Sequence, residues 1–283
     1  MEEAIRLEHV EKRYRGFALK DVNLTLPKGS IMGLIGENGA GKSTILKAAL
    51  GLIHKDAGNV FLFGREFDGS DSSLKEQIGV VMDTLSFSGE LTLKNINRIM
   101  KEIYRNWEED TFLHYQEVFE LSGNKKVREL SRGMRMKLSL AAALSHRAKL
   151  LVLDECTSGL DPISRDELLD VFLDFIQDEA NSILISSHIL SDLEKICDYI
   201  TFIHKGEVCF SKRKDLLLDS YGVFHGTKAA IREMDSAAVI GVRENAFGAD
   251  ALVLRKRAPL GLPLDPADIE TIMLYYVRGG GKR

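Results

Sequence analysis

The sequence predicts an α/β fold, in which a largely parallel sheet is covered by helices on both faces and is followed by a small α+β appendage. Strand-like and helix-like segments alternate along most of the first 211 residues. Two strand-like segments, LLVLD and SILIS, are apolar nearly throughout, which is typical of strands buried on both faces. A glycine-rich loop also lies between a predicted strand and a predicted helix. These observations favour a doubly covered sheet over a helical bundle or a β-sandwich.

The first half of the chain begins with strands. Residues 5–10, 18–26 and 30–36 have strand character, and turn-like RYRGF and PKGS separate them. A helix is expected directly after the glycine-rich loop. Two more strands and a long helical region then follow, and we expect them at 59–64, 78–83 and about 91–122.

The second half continues the alternation and then changes character. We expect a helix at 134–146, a strand at 149–154, a helix at 163–179 and a strand at 182–186. Beyond about Ser211 the segments suggest a β-α-β-β-α order without any chemical motif. The sequence therefore predicts a main domain over 1–211 and an appendage over 212–283, which we interpret as a packing or dimerisation module.

Charge and cysteine content exclude several kinds of protein. The 38 Lys and Arg against 42 Asp and Glu give a net charge of -4, which argues against a general electrostatic grip on nucleic acid. The three cysteines match neither a zinc ribbon nor a disulfide framework, so a reducing compartment is expected. No stretch approaches 18 uncharged apolar residues, and MEEAIRLEHV lacks the pattern of a secretion signal. We expect neither a membrane span nor secretion.

The segment GENGAGKS, residues 36–43, has the spacing of a phosphate-binding loop. Its glycines permit close approach of backbone amides to a polyphosphate, and the following helix adds the positive end of its dipole. Lys42 is expected to bridge the outer phosphates, and Ser43 to ligate Mg²⁺. A structural glycine turn is the alternative. The predicted nucleotide-binding residues of this segment are Gly36, Glu37, Asn38, Gly39, Ala40, Gly41, Lys42, Ser43 and Thr44.

A pair of acids follows the apolar strand LLVLD. Ligands collect at the carboxyl ends of strands in open α/β sheets, so Asp154 is predicted to face Mg²⁺ through water. Glu155 is predicted to polarise the water that attacks the γ-phosphate. A strand end with helix-capping acids is the alternative.

Two more segments are expected at the same edge of the sheet. TSGLD forms a turn before a helix that begins with Pro162. His188 lies just beyond SILIS, where it could contact the γ-phosphate or be an ordinary structural histidine. Ser131, in ELSRGM, is among the best N-cap residues, and with Gly133 it would leave open amides that suit an anion.

The ordered set GENGAGKS, ELSRGM, LLVLDE, SGLD and the late histidine resembles the ATP-binding subunits of ABC transporters over about residues 4–211. The run SRGMRMKLSLAAALSH and the compact spacing are similar to ABC-2-type exporter ATPases of the antibiotic and acetoin-utilisation branch. The resemblance implies a P-loop NTPase core with an antiparallel β subdomain and a helical subdomain at about 84–146.

The resemblance also implies partners and further site residues. Tyr14 would stack on adenine, and Ser131 with Gly133 would contact ATP bound to a second subunit. The cofactors would be ATP and Mg²⁺. Two such chains, or this chain and a related ATPase, would dimerise on ATP and drive separately encoded membrane subunits from the inner face of the cell membrane. The coupling helix of such a membrane subunit would dock near Asp83 and residues 91–122.

Some residues depart from the family pattern. Asp83 stands where glutamine usually reaches the metal and the attacking water. An ionised carboxylate cannot donate a hydrogen bond, so we expect Asp83 to keep a metal-side role with Mg²⁺-dependent affinity, or to have lost the role. Cys156 replaces a usual proline, and Arg132 and Met134 occupy signature positions often held by Gly and Gln. Arg132 could assist the γ-phosphate or face solvent.

Two alternatives compete with this interpretation: a soluble ABC ATPase that acts in DNA repair or on ribosomes, and a P-loop kinase. A soluble ABC ATPase of DNA repair would carry long coiled coils, but only about 45 residues separate Asp83 from Leu130 and they show no sustained heptads. Ribosome-associated members usually hold two cassettes in a chain, whereas this chain holds one set of motifs. A P-loop kinase would leave ELSRGM and His188 without a role. The sequence therefore predicts a transport ATPase with no nucleic-acid partner.

Overall fold

A computed structural model describes residues 2–82, 87–244 and 248–279. The backbone divides into two compact units, Met1–Val208 and Cys209–Arg283. Strand β10 (Glu207–Arg213) crosses from the first unit into the second. The strands of the first unit are β1 (Glu3–Tyr14), β2 (Phe17–Pro27), β3 (Ile31–Ile35), β4 (Ala57–Leu62), β5 (Arg65–Glu66), β6 (Ile78–Val81), β7 (Leu150–Asp154), β8 (Ser182–Ser186) and β9 (Tyr199–His204).

The first unit contains the four predicted helical regions together with additional helices. Its helices are α1 (Lys42–Ala49), α2 (Ser72–Lys75), α3 (Leu93–Ile103), α4 (Glu109–Val118), α5 (Arg132–Leu144), α6 (Pro162–Phe175) and α7 (Leu190–Ile196). Helices α2 and α7 are the additional ones. The long helical region expected near 91–122 is two helices, α3 and α4. No helix of the described ranges combines the length and the apolar character needed to cross a membrane.

The central sheet of the first unit is parallel, as the alternation predicts. Five of its strands lie side by side in the order β9-β3-β8-β7-β6, and every adjacent pair among them is parallel. Strands β3, β7 and β8 are buried at every residue, which explains their continuous apolar runs. The carboxyl ends of these three strands therefore share one edge of the sheet.

A second sheet is antiparallel, with the order β2-β1-β4-β5. Its alternating pattern buries one face: in β2, Val22, Leu24 and Leu26 point inward between exposed neighbours. These side chains join Ile45 of α1 and Val152 of β7 in one hydrophobic core. The antiparallel sheet and the parallel sheet thus enclose α1, the helix that follows the glycine-rich loop.

Helix α5 packs closely on β6 because small residues meet at the contact. A side chain at Gly79 would lie 2.7 Å from the carbonyl oxygen of Ala143. Leu138, Leu140 and Ala141 of the same helix are buried. This packing fixes the helix whose N-terminus carries ELSRGM.

The second unit contains an antiparallel sheet in the order β12-β13-β11-β14. The predicted β-α-β-β-α order is present, with an additional short helix before it and an additional two-residue strand. Its elements are α8 (Lys214–Ser220), β11 (Tyr221–Gly226), α9 (Lys228–Arg232), β12 (Val239–Glu244), β13 (Ala249–Leu254), β14 (Asp265–Pro266) and α10 (Ile269–Gly279). A small core of its own forms around Phe224, Ile231 and Val253.

Candidate functional site

The glycine-rich loop runs from the end of β3 to the start of α1, as expected. Gly41 is the N-cap of α1 with φ of 117°, a conformation that L side chains rarely adopt. Gly36 leaves no room for a side chain, because a Cβ there would lie 2.4 Å from the carbonyl oxygen of Ile203. The loop therefore needs glycine at these two positions, one for its backbone angle and one for its close packing.

Lys42 is folded over its own loop. Its side chain is only 6% exposed, and Nζ donates to the carbonyl oxygen of Gly36 at 2.8 Å. The same ammonium lies 3.5 Å from Oε1 of Glu155. A buried cation is thus held where the loop and the end of β7 meet.

Asp154 ends β7 and is 4% exposed. Its Oδ1 accepts hydrogen bonds from Ser43 Oγ at 3.1 Å and from Ser186 Oγ at 2.6 Å. The first contact joins the start of α1 to β7, and the second joins β7 to the end of β8. Ser186 is not among the residues that the sequence predicts for the site; the signal that could identify it is a hydroxyl at the carboxyl end of an apolar parallel strand.

Glu155 leaves the strand in a left-handed conformation, with φ of 52°. Its amide donates to Ser186, both to the carbonyl oxygen at 3.1 Å and to Oγ at 3.2 Å. Its carboxylate lies between two groups, Lys42 on Oε1 and His188 Nδ1 on Oε2 at 2.5 Å. The side chain of Glu155 is 17% exposed and that of His188 is 50% exposed. The structure therefore brings the two residues that were predicted to act on the γ-phosphate into direct contact.

Ser131 is the N-cap of α5, and its Oγ accepts from the amide of Met134 at 3.2 Å. This capping bond satisfies one amide of the first turn. Gly133 packs against the turn that follows Glu155, since a Cβ at Gly133 would lie 3.0 Å from Leu160 Cδ2. Arg132 lies against Gly159 of the same turn, with Nη1 3.3 Å from the position of a Cβ there.

An open cleft of about 670 Å³ connects these groups. It is lined by Gly16, Phe17, Asn38, Gly39, Gly41, Lys42, Ser43, Thr44, Arg132, Glu155, Ser158 and His188. Arg132 thus borders the cleft of its own chain and does not merely face solvent. The cleft combines backbone donors, two cationic side chains and a carboxylate at the carboxyl edge of the parallel sheet, where phosphate ligands bind in such folds.

Tyr14, Glu37 and Ala40, which were also predicted site residues, are not among the residues that line this cleft. Tyr14 ends β1 opposite Phe17 and is 48% exposed, with Lys12 Nζ 5.4 Å from its ring centroid. Ala40 and Glu37 form the turn of the loop, where the amide of Ala40 donates to the carbonyl oxygen of Glu37 at 3.0 Å. Asp83 lies outside the described residues.

Cys156, which replaces a usual proline, is buried beneath the site. Burial raises the pKa of its thiol far above the ordinary value, with the neighbouring carboxylates of Glu155 and Asp192 adding to the effect. The thiol therefore stays neutral and contributes packing.

A family model and several known proteins match this chain. The ABC transporter family model matches residues 19–158. The lantibiotic transport ATP-binding protein SrtF of Streptococcus pyogenes is 35% identical over 75% of this chain and 91% of its own length. YtrB, an ABC transporter ATP-binding protein of Bacillus subtilis, is 33% identical over 77% of this chain and 74% of its own. The bacitracin transport ATP-binding protein BcrA of Enterococcus faecalis is 34% identical over 74% of this chain and 68% of its own.

Solved structures agree with these relatives. An ATP-binding subunit of an ABC transporter matches with a TM-score of 0.69 and 27% identity, over 75% of this chain and 90% of its own. A dimeric ATP-binding cassette bound to ADP and Pi shares the fold, with a TM-score of 0.66 and 22% identity over 74% of this chain and 98% of its own. A phosphate loop, Glu155 and its contacting histidine line one cleft of a chain with these similarities, and the buried Asp154 lies beside them. The chain belongs to the family of ABC transporter ATP-binding subunits, and it is an ATPase that energises transport.

Proposed function

We propose that two such cassettes close around two ATP molecules, and that hydrolysis reopens them to drive membrane subunits of an exporter. The observation that carries the proposal is the contact of Glu155 with both Lys42 and His188. A carboxylate held between an ammonium and an imidazole, next to a phosphate loop, suits the attack of water on a γ-phosphate.

The phosphates would lie on the loop from Gly36 to Ser43, with Thr44 in the first turn of α1. Amides at the N-terminus of α1 supply donors and the positive end of the helix dipole. Lys42 now donates to the carbonyl oxygen of Gly36, and it would exchange this bond for the outer phosphates. The exposed ring of Tyr14 offers a π face for adenine.

The residues proposed to hold Mg²⁺ are Ser43 and Asp154, with Asp83 assigned a metal-side role from the sequence alone. Ser43 Oγ and Asp154 Oδ1 are 3.1 Å apart, and both are the hard oxygen ligands that Mg²⁺ prefers. The described ranges contain no cluster of three or more His, Cys, Asp or Glu side chains suited to a metal ion. The site therefore fits an ion that takes its other ligands from phosphate and water, as Mg²⁺ commonly does. Bound there, the ion would neutralise charge on the phosphates.

Glu155 would accept a hydrogen bond from the attacking water and take its proton as the water oxygen bonds to the γ-phosphorus. The bond to the β-phosphate oxygen breaks, which leaves ADP and phosphate. His188 lies on the Oε2 side of the carboxylate, where it would hold Glu155 and contact the γ-phosphate.

Ser131 and Gly133 would contact ATP on the second subunit. The N-terminus of α5 is a donor-rich end exposed at Ser131, while the chain's own phosphates have a separate loop. Arg132 at this edge adds a positive charge. The second subunit would be a copy of this chain or a related ATPase.

The membrane partner is inferred from the relatives. Those with 34–35% identity serve lantibiotic and bacitracin transport, which supports export of a compound of that kind by this chain's system. On α3, Ile99 and Ile103 are one turn apart and are 38% and 60% exposed, so they offer an apolar contact for a separately encoded membrane subunit. The chain would then be a peripheral subunit on the cytoplasmic face of the cell membrane.

The decisive experiment uses Glu155→Gln. With ATP this variant should form a stable dimer in gel filtration, whereas the wild type should be monomeric or loosely associated without nucleotide. Ser131→Arg in the same background should abolish the dimer and leave equilibrium binding of ATP to the monomer largely intact. Loss of both properties together, or of neither, would refute the trans role of Ser131.

A further inference from the structure

An ion pair between a half-buried arginine and a buried aspartate lies behind the catalytic edge and joins two helices of the first unit. Arg165 is on α6, and Asp192 is on α7, with Nε and Oδ2 3.7 Å apart. The Asp192 side chain is 4% exposed and that of Arg165 is 27% exposed. Neither Arg165 Nε nor Asp192 Oδ2 makes a hydrogen bond within the described part of the chain. Two opposite charges at this depth are costly to separate, because each would be left without compensation.

Each partner of the pair is close in sequence to one of the proposed catalytic groups. Asp192 is four residues after His188, and it is close enough to contribute to the raised pKa of Cys156, the residue after Glu155. Arg165 donates from Nη2 to the carbonyl oxygen of Leu160 at 3.3 Å. The Arg165 guanidinium therefore connects the turn that follows Glu155 with the helix that follows His188.

We propose that Arg165 and Asp192 are positioning residues, which hold the turn after Glu155 and the segment of His188 in register so that the two side chains meet. The contact they maintain is the 2.5 Å approach of His188 Nδ1 to Glu155 Oε2. Neither charge lines the nucleotide cleft, so the pair acts through Glu155 and His188. This inference rests on the proposed roles of Glu155 and His188.

The same two helices provide a matched control. Asp166 and Lys195 form an ion pair at 3.0 Å between α6 and α7, with side chains 65% and 61% exposed. An exposed pair of this kind contributes little to stability. The Asp166–Lys195 pair joins the same two helices, and Asp166 is the residue after Arg165 on α6. This pair does not reach the turn after Glu155.

The test compares ATP hydrolysis by the full chain in Arg165→Gln, Asp192→Asn and the double variant with hydrolysis by Asp166→Asn and Lys195→Met. We expect kcat to fall on the order of 10- to 100-fold in each buried variant, because a small misplacement of a catalytic group is enough to do so. The KM for ATP should change less than about threefold, and equilibrium ATP binding should keep its full stoichiometry, whereas a general loss of folded protein would lower the stoichiometry together with kcat. The kcat of the double variant should be no lower than that of the slower single variant, because both substitutions break the same ion pair.

Asp192→Asn keeps the shape of the side chain, and Arg165→Lys keeps the charge without the planar fork, so either variant can carry the test if Arg165→Gln does not fold. Arg165→Lys should recover part of kcat. An unchanged kcat in Asp192→Asn, a fall of kcat that only follows the thermal midpoint, or an equal fall in Asp166→Asn would overturn the inference. If Glu155→Gln and His188→Ala also hydrolyse ATP normally, the proposed roles of these residues fail as well; if those two are inactive, only the positioning role fails.

Discussion

Replacement of Ser186 by alanine should weaken the link between β8 and β7, the strand that carries the acidic pair at its end. Ser186 is fully buried, donates to Asp154 Oδ1 at 2.6 Å and accepts from the amide of Glu155 at 3.2 Å. A hydrogen bond to a charged group contributes about 1.5–3 kcal/mol. The amide of Glu155 keeps the carbonyl oxygen of Ser186 as an acceptor, and Asp154 keeps Ser43. The net cost should therefore be about 2 kcal/mol, near the middle of that range.

Ser182→Ala is the matched control. Ser182 is also fully buried and lies at the other end of β8, but its hydroxyl accepts only from the neutral amide of Gly29 at 3.1 Å. Its loss should cost about 1 kcal/mol or less, because a neutral hydrogen bond contributes less than a charged one. It should leave ATP hydrolysis unchanged, since Gly29 lies at the opposite end of the sheet from the cleft.

The assay for Ser186 is thermal unfolding together with ATP hydrolysis as a function of Mg²⁺. About 2 kcal/mol should lower the midpoint of the first unit by about 4–8 °C. The concentration of Mg²⁺ at half-maximal hydrolysis should rise in Ser186→Ala, since Asp154 loses the donor that fixes Oδ1. Equal destabilisation by the two serine variants, or an unchanged Mg²⁺ dependence, would refute the reasoning.

Three further predictions concern single side chains. Gly36→Ala should lose ATP affinity and about 1–3 kcal/mol of stability, measured by equilibrium binding and denaturant unfolding, because its Cβ would lie 2.4 Å from a backbone oxygen. Burial lowers the pKa of His146 below 6.5 in the folded chain, so the unfolded chain gains this proton first; the free energy of unfolding should fall as the pH drops below about 6.5, and less steeply in His146→Phe. In the native chain a thiol reagent at pH 8 should modify the partly exposed Cys209 and spare Cys156 and Cys197, and early modification of Cys156 would contradict its burial.

The sequence was sufficient for the order of the main strands and helices from β1 to β8, and for the placement of the acidic pair and His188 at one edge. Parallel strands with continuous apolar runs end at the same edge, so residues directly after β7 and β8 had to be neighbours. The N-cap at Ser131 and the start of α6 at Pro162 could also be predicted from the sequence, because both depend on short local patterns.

Other features depend on contacts between segments that are distant in the sequence, which no local sequence pattern can show. Ser186 became part of the site because β8 lies between β3 and β7, and strand order is set by the whole sheet. The left-handed backbone of Glu155 is unusual for a glutamate, and nothing in LLVLDE predicts it. Arg165 and Asp192 each look like ordinary polar positions of an amphipathic helix, and their contact, with the burial of Asp192, follows only from the packing of α6 on α7. Neither α8 nor β14 was predicted, since both are too short to show a periodicity.

The signature segment and the turn after Glu155 form one contact within the chain, which links the two proposed half-sites. Gly133 faces Leu160 and Arg132 lies against Gly159, so the N-terminus of α5 cannot shift without moving this turn. In the proposed dimer the N-terminus of α5 meets the partner's ATP, whereas Glu155 acts on the chain's own ATP. ATP binding at one half-site would thus affect the other half-site through the packing of α5 against this turn. A small side chain at position 132 would remove one of the two contacts, so Arg132→Gly should reduce the cooperativity of hydrolysis with respect to ATP, in addition to lowering ATP affinity through loss of a cation that borders the cleft. Unchanged cooperativity would refute a coupling of the half-sites through Arg132.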